Sequence, residues 1–235
     1  MNRIPTASSA AASLLQTIGA ALSPHGLILR GGFNFGAHDI PPDGPDGGPA
    51  GSVLLVGHGG GTIWEPFERW RDLQPEGMAH PLDGWSKQVL ESVARDCDAR
   101  AVFPSDPPYL PFQRWAMRAE GLRPSPLGVL MHPVFGPWHG YRGALLFSQA
   151  LAISPAGTVS HACDSCAAKP CLATCPVAAY SPQGFEVDTC RSHVRGASGG
   201  LCRNSGCLAR NACPVGRDHR YSGVQQRFHQ AAFLG

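Results

Sequence analysis

The chain has 235 residues, 43% of them hydrophobic and 15% charged, with a formal net charge of +2. That length and apolar content can bury a substantial core, as one large domain or two small ones, so a soluble globular protein is the starting expectation. No run approaches the roughly 18 uninterrupted apolar residues of a membrane helix, which excludes a membrane-spanning role from the reading.

Near the N-terminus, SSAAASLLQTIGAAL is interrupted by Gln16, Thr17 and Gly19, and its apolar positions Ala11, Leu14, Leu15, Ile18 and Leu22 recur at helical spacing. The segment reads as an amphipathic first helix. Arg3 alone charges the preceding residues and no small-residue cleavage site follows, so a secretory signal is not expected and a cytoplasmic location is. In that compartment structural disulfides are rare, and clustered cysteines bind metal or do redox chemistry.

LILRGGFNF (27–35) reads as extended, AHDIPPDGPDGGPAG (37–51) as a Pro/Gly loop, and SVLLVG (52–57) as a short buried strand. After HGGGT a helix is expected, opened by a capping box Thr62-x-x-Glu65 and lined inside by Trp64, Phe67 and Trp70. A third helix starts near Asp83, with Trp85, Val89, Leu90, Val93 and Cys97 on one side, which makes Cys97 a buried filler without catalytic role. ARAVFP (99–104), the loop SDPPYLP, a short helix through Phe112, Trp115 and Met117, and two strands, GVLMHP (128–133) and GALLFSQALAIS (143–154), complete a mixed α/β pattern without internal repeats.

Cysteine usage then changes abruptly: Cys97 is the only cysteine before residue 160, and the other eight lie between Cys163 and Cys213. Two lobes follow, 1–155 and 156–235, joined near Ser154-Pro155-Ala156-Gly157. The first carries 11 Lys+Arg against 13 Asp+Glu and the second 8 against 4, giving −2 and +4. A basic lobe can indicate nucleic acid, but here the arginines are interleaved with cysteines and form no run. The second lobe also has too few large apolar residues to fold on packing alone, so its cysteines must supply the constraint.

Those cysteines fall into Cys163-x2-Cys166-x4-Cys171-x3-Cys175-Pro176 and a group of Cys190, Cys202, Cys207 and Cys213-Pro214. Paired four-cysteine zinc sites are the alternative, but zinc motifs come as two C-x2-C knuckles and only Cys163/Cys166 has that form; disulfides rank lower still. The pattern resembles bacterial two-cluster ferredoxins, in which three cysteines of one motif hold one [4Fe-4S] cube and the fourth reaches the other. Carried over, that rule gives one cluster on Cys163, Cys166, Cys171 and Cys213 and a second on Cys175, Cys190, Cys202 and Cys207. The x4 gap and the wider Cys202-x4-Cys207-x5-Cys213 spacing depart from the ferredoxin pattern. Each oxidised cube with its thiolates carries about −2, so Arg191, Arg195, Arg203, Arg210 and Arg217 would offset cluster charge and raise its potential. Nucleic acid is then not expected as a partner.

Just before the lobe boundary, HPVFGPWHGYRG (132–143) is too rich in Gly, Pro and aromatics for core strand; a tight loop plugged by Phe135 and Trp138 is its plain reading. The segment also resembles the HPxFGxWxxxRG signature of the CblC (MMACHC) family of cobalamin-trafficking proteins, and LSPHGLILRGGFNF and SVLLVGHGGGTIWEPFERW are weakly similar to the same family upstream. Joined to a two-cluster lobe, the arrangement is similar to epoxyqueuosine reductase and the reductive dehalogenases. The resemblance implies an α+β fold, a nitroreductase-like corrinoid-binding domain over 1–155 followed by a ferredoxin-like domain. It also implies cobalamin and two [4Fe-4S] clusters as cofactors, with a small-molecule substrate or cobalamin itself as the ligand acted on and reduced ferredoxin or flavodoxin as electron donor. The helical repeats that assist tRNA engagement in epoxyqueuosine reductase are not expected after Cys213.

On that basis Gly136 would let the backbone approach a corrin plate, Phe135 and Trp138 would pack on it, and His132 or His139 would hydrogen-bond it or ligate cobalt. Tyr141 would be a proton donor, and Arg142 would bind an anionic ligand. The Gly57-His58-Gly59-Gly60-Gly61-Thr62 stretch lacks a nucleotide-loop pattern and is assigned to lining the corrinoid or flavin pocket. The leading expectation is an oxidoreductase that reduces bound cobalamin, or a substrate through cob(I)alamin. FMN in the same lobe, a non-catalytic cobalamin chaperone and an electron-transfer ferredoxin are its rivals.

Overall fold

The computed structural model describes the backbone of residues 7–181 and 183–235, with side chains from residue 13 onward. Arg3 and the Ala11 side chain, both used in the sequence reading, lie outside the described residues. Helix α1 (Ala7–Leu22) buries Ile18 and Leu22 and ends in a 3-10 turn at Ser23–His25. It leads to β1 (Ile28–Asn34), which pairs antiparallel with β2 (Ser52–Gly59), with a bulge between Leu29 and Gly32. Every residue of β2 is buried, Ser52 and His58 included, so it lacks the alternation of a half-exposed strand.

Helix α2 (Trp64–Arg71) buries Trp64 and Phe67. Its expected capping box is not formed: Ile63 occupies the N-cap position without a side-chain bond, while the Thr62 hydroxyl donates to the Gly26 carbonyl at 2.6 Å. Helix α3 (Pro81–Asp96) buries Trp85, Val89, Leu90 and Val93 as the 3.6-residue period requires. Cys97 follows it with its thiol on the Val93 carbonyl at 3.0 Å, and burial pushes that thiol up to about 11, so it is inert at neutral pH. After β3 (Arg100–Val102) comes α4 (Phe112–Glu120), with Trp115 buried against β1.

The strand expected over 128–133 shrinks to β5 (Leu130–Met131), paired with β4 (Arg123–Pro124), because the bridge between His132 and Gly136 turns the chain at once. The strand expected over 143–154 is displaced: β6 runs His139–Phe147, taking in half of HPVFGPWHGYRG. The main sheet has strand order β1-β2-β6-β3. The chain leaves it after Phe147, and the side-chain amide of Asn34 then holds Leu151 by both backbone groups, each at 2.9 Å.

The remaining elements are short: α5 (Ala162–Ser165), α6 (Pro170–Ala173), the hairpin of β7 (Tyr180–Ser181) and β8 (Gly184–Phe185), α7 (Val187–Arg195), α8 (Gly200–Ser205), α9 (Leu208–Asn211) and α10 (Gly223–Leu234). Among the described residues, no helix is long and apolar enough to cross a membrane. The chain forms two compact units, one of residues 1–58, 62–121 and 140–158, the other of 59–61, 122–139 and 159–235. The second unit therefore contains the first part of HPVFGPWHGYRG as well as the cysteines.

Candidate functional site

In the second unit α5 to α9 each deliver or adjoin a cysteine, and the eight thiols face two cavities. Cys163, Cys166, Cys171 and Cys213 line one, with Leu127, Met131 and Val215 as apolar walls. Cys175, Cys190, Cys202 and Cys207 line the other, with Tyr180, Phe185, Val194 and Phe233. Space free of protein atoms amounts to about 380 and 550 Å³, part of it open to solvent. Cys175 thus faces away from its three sequence neighbours. None of the eight is in a disulfide. Among the described residues, no group of three or more His, Cys, Asp or Glu is gathered tightly enough to hold a single metal ion.

The electrostatics of the two cavities agree with that grouping. Burial first, then the neighbouring thiols Cys213 and Cys171, raises Cys163 above its ordinary value. Burial, then Cys207, Cys175 and Cys202, pushes Cys190 up to about 11. Four thiolates can share such a cavity only with a positive centre among them. Donors already face the sulfurs: the Ala179 N–H lies 3.3 Å from the Cys175 sulfur and the Tyr180 hydroxyl 3.9 Å from that of Cys207.

The loop at 132–139 belongs to the same unit. Mutual backbone bonds between His132 and Gly136, at 3.0 and 2.9 Å, close it. The Nδ1 of His132 accepts from the N–H groups of Val134 and Phe135, both at 3.1 Å, which places the proton of the neutral ring on Nε2. Phe135 stacks on His132 with centroids 4.4 Å apart, and its ring covers Gly59, where an added Cβ would lie 2.3 Å away. Gly136 has φ +56°, and its absent Cβ would fall 2.2 Å from the Val215 carbonyl, so the loop backbone touches the backbone just after Cys213-Pro214. His139 donates from Nε2 to the Leu130 carbonyl at 2.8 Å.

Trp138 is fully buried between Tyr221, 5.3 Å away, and the Arg210 guanidinium, 4.5 Å over its ring. Arg210 also donates to the Pro137 carbonyl. Trp138 is therefore the plug of the loop, and its indole N–H has no partner among the described residues.

Tyr141 and Arg142 lie in the first unit. The Tyr141 hydroxyl donates to a Glu120 carboxylate oxygen, and Glu120 receives a two-pronged pair from Arg30 at 2.8 and 2.9 Å. Arg30 is 2% exposed and donates further to the His58 carbonyl at 3.0 Å. Burial, with the Glu120 carboxylate adding to it and Arg30 opposing, raises the Tyr141 phenol well above its ordinary range. Arg142 donates to the Tyr141 carbonyl at 3.1 Å and lies 3.7 Å from an Asp83 oxygen. Arg30 and Glu120 are not among the residues expected from sequence. Their signal was a lone charge inside an otherwise buried strand pattern, which is stable only if paired.

Neither a protein-family model nor a curated protein sequence matches the chain. Solved structures do. A B12-trafficking protein CblC from C. elegans, a homologue of human MMACHC, superposes with TM-score 0.56 at 13% identity, covering 94% of this chain and 91% of that one. An epoxyqueuosine reductase with an epoxyqueuosine-modified tRNA stem loop, and one from Bacillus subtilis, each reach TM-score 0.51 at 13% identity over 88% of this chain. The chain spans 66% of the length of each of those reductases. The mixed helix-and-sheet fold of this protein is thus the fold shared by CblC and epoxyqueuosine reductase.

Proposed function

We propose that the protein is an iron–sulfur oxidoreductase in which two [4Fe-4S] clusters, one per cysteine cavity, deliver single electrons to a corrinoid. The observation that carries this reading is the division of the eight cysteines of the second unit, each used once, into two sets of four that line separate cavities. A zinc site would draw four sulfurs about a centre at roughly 2.3 Å. A cube with thiolates on its corners instead takes four sulfurs spread about a larger centre. The likeness to CblC supports a corrinoid as the acceptor through the fold alone.

Cys163, Cys166, Cys171 and Cys213 would hold the cluster beside the loop, since Val215, two residues on, touches Gly136. Cys175, Cys190, Cys202 and Cys207 would hold the other. When bound, the clusters supply one electron at a time and the corrinoid supplies the metal that takes them. The chain's own work is to fix the loop through Trp138 and Gly136, with Phe135 stacked on His132 and closed over Gly59. Tyr141 and Arg142, expected as catalytic residues, are engaged by Glu120 and Asp83. We assign them to holding the Arg30–Glu120 pair and the start of α3 in place.

Anaerobic reconstitution should give about eight irons per chain and a broad absorbance near roughly 400 nm. Added hydroxocobalamin should then be bound and reduced by dithionite-treated protein. Zinc in place of iron would remove the clusters from this account, and a tightly bound flavin with no response to cobalamin would remove the corrinoid. Cys163→Ser and Cys213→Ser should disturb one EPR signal and Cys175→Ser the other; Cys213→Ser acting with Cys175→Ser would overturn the ligand sets.

A further inference from the structure

The second unit holds more positive charge than its own acids neutralise. Arg191, Arg195, Arg203, Arg210, Arg217, Arg220 and Arg227 all lie beyond residue 190, and among the described residues none forms an ion pair with a carboxylate. Four of them gather where α7, α8 and α10 meet. Arg191 donates to the Phe233 carbonyl at 3.2 Å and Arg195 to the Leu234 carbonyl, tying α7 to the end of α10. Arg203 donates to the Val194 and Gly196 carbonyls, tying α8 to α7, and Arg227 to the Asn204 carbonyl at 3.4 Å, tying α10 to α8. A carbonyl offers each of them a dipole and no countercharge. Arg195 and Arg227 are exposed.

Apolar side chains are exposed on the same helices: Leu201 at 68% on α8 and Val224 at 48% on α10. Exposed arginines together with exposed apolar side chains on the same helices suit a transient protein-docking surface. The acids on these helices are Asp188 in the first turn of α7 and Glu186 just before it. Behind this face lies the cavity of Cys175, Cys190, Cys202 and Cys207. Phe233 and Val194, whose carbonyls hold Arg191 and Arg203, are among its lining residues, and Arg191 and Arg203 each directly follow a cavity cysteine.

We propose that this face of α7, α8 and α10 is the docking surface for an acidic one-electron carrier protein. The inference rests on the cluster reading given above. A reduced carrier that docks there gives up one electron and is oxidised by one; the cluster behind the face is reduced by one, and no proton or group moves. Opposite charge raises the encounter rate and orients the carrier, while Leu201 and Val224 add apolar contact area. Small, salt-sensitive interfaces are the rule for such redox encounters.

The probe is a reduced acidic two-iron ferredoxin, mixed anaerobically with the reconstituted full chain. Two quantities are followed: the second-order rate of cluster bleaching near roughly 400 nm, and the dissociation constant by titration. With Arg195→Glu and Arg227→Glu combined, the rate at low salt should fall about tenfold or more and binding should weaken in parallel. Iron content and reduction by dithionite, which needs no docking, should stay as in the unaltered protein. The milder Arg195→Gln and Arg227→Gln pair should fall between, and rising salt should erase the differences. Intact iron with an unchanged ferredoxin rate would overturn the surface and leave the clusters standing. Unaltered protein that holds no iron would remove both. A short single-stranded RNA whose binding is lost in the Glu variant, while the ferredoxin rate is kept, would assign the face to nucleic acid and overturn the proposal.

Discussion

Arg30 shows what one buried charge demands of its surroundings. At 2% exposure its guanidinium has lost its hydration, and the pairing that compensates comes from Glu120, the His58 carbonyl and the Tyr141 ring and hydroxyl. Removing one partner leaves an uncompensated charge, so Glu120→Ala should destabilise the fold by about 3–5 kcal/mol, measured by denaturant unfolding of both forms. Glu120→Gln, which retains acceptor oxygen, should cost less. Tyr141→Phe removes a bond and not a charge and should cost about 1–2 kcal/mol. It should also change the alkaline limb of stability. The folded phenol is held above its ordinary value, while in the unfolded chain it ionises near pH ~10. Stability from this group is therefore complete below pH ~10 and is lost as pH rises further, because only the unfolded state then releases the proton. In Tyr141→Phe that part of the decline should vanish. An alkaline limb identical in both proteins would show that Tyr141 is not held neutral.

At the level of elements, the sequence announces those whose burial is periodic. Trp85, Val89, Leu90 and Val93 mark α3, and the apolar run of β2 marks a strand buried on both faces. It misleads where a tertiary bond outbids a local one: Thr62 has the capping pattern, yet its hydroxyl goes to Gly26. It misleads again at β6, where the aromatic and glycine content of HGYR suggests a turn although a sheet neighbour turns it into strand. The cysteine spacing was legible because few chemistries use eight thiols so closely. The placement of Gly136 against Val215, 79 positions further along, was not, since no local signal encodes a contact so distant in sequence. That contact makes Gly136 the residue on which the loop's seat depends. Gly136→Ala meets both a left-handed φ and a carbonyl at 2.2 Å. It should cost about 2–4 kcal/mol and lower iron retention after gel filtration, because the displaced segment leads directly back to Cys213. Gly128→Ala, also at positive φ but with nothing near its Cβ, should retain iron fully and separates strain from displacement.

For the molecule as a whole, the two units differ in what makes them fold. The first buries Trp64, Phe67, Trp85, Leu90, Trp115, Leu145 and Phe147 among others. The second unit buries Leu122, Leu127, Leu130, Met131 and Trp138 in its segment 122–139, but among the described residues of 159–235 the buried apolar side chains are Ala179, Val194, Cys202, Ala209, Cys213 and Tyr221, mostly small. Transfer of about 25 cal/mol per Å² of apolar surface cannot offset the ordering of so many helical fragments on that basis. On the proposed reading, cluster ligation would contribute much of the folding free energy of that region, as metal binding does in small metal-dependent domains. Iron removal by an anaerobic chelator should accordingly unfold the second unit and spare the first. The tryptophans allow the two to be separated: Trp64, Trp70, Trp85 and Trp115 report the first unit and Trp138 the second. The iron-loaded protein should lose both signals late in a denaturant series. After chelation, a protein keeping only Trp138, with the other four replaced by Phe, should show the emission of a solvent-exposed indole before denaturant is added. A protein with Trp138→Phe should still show a cooperative transition. If Trp138 stays buried after iron is removed, packing and not the metal holds the second unit together, and its cysteines are dispensable for its fold.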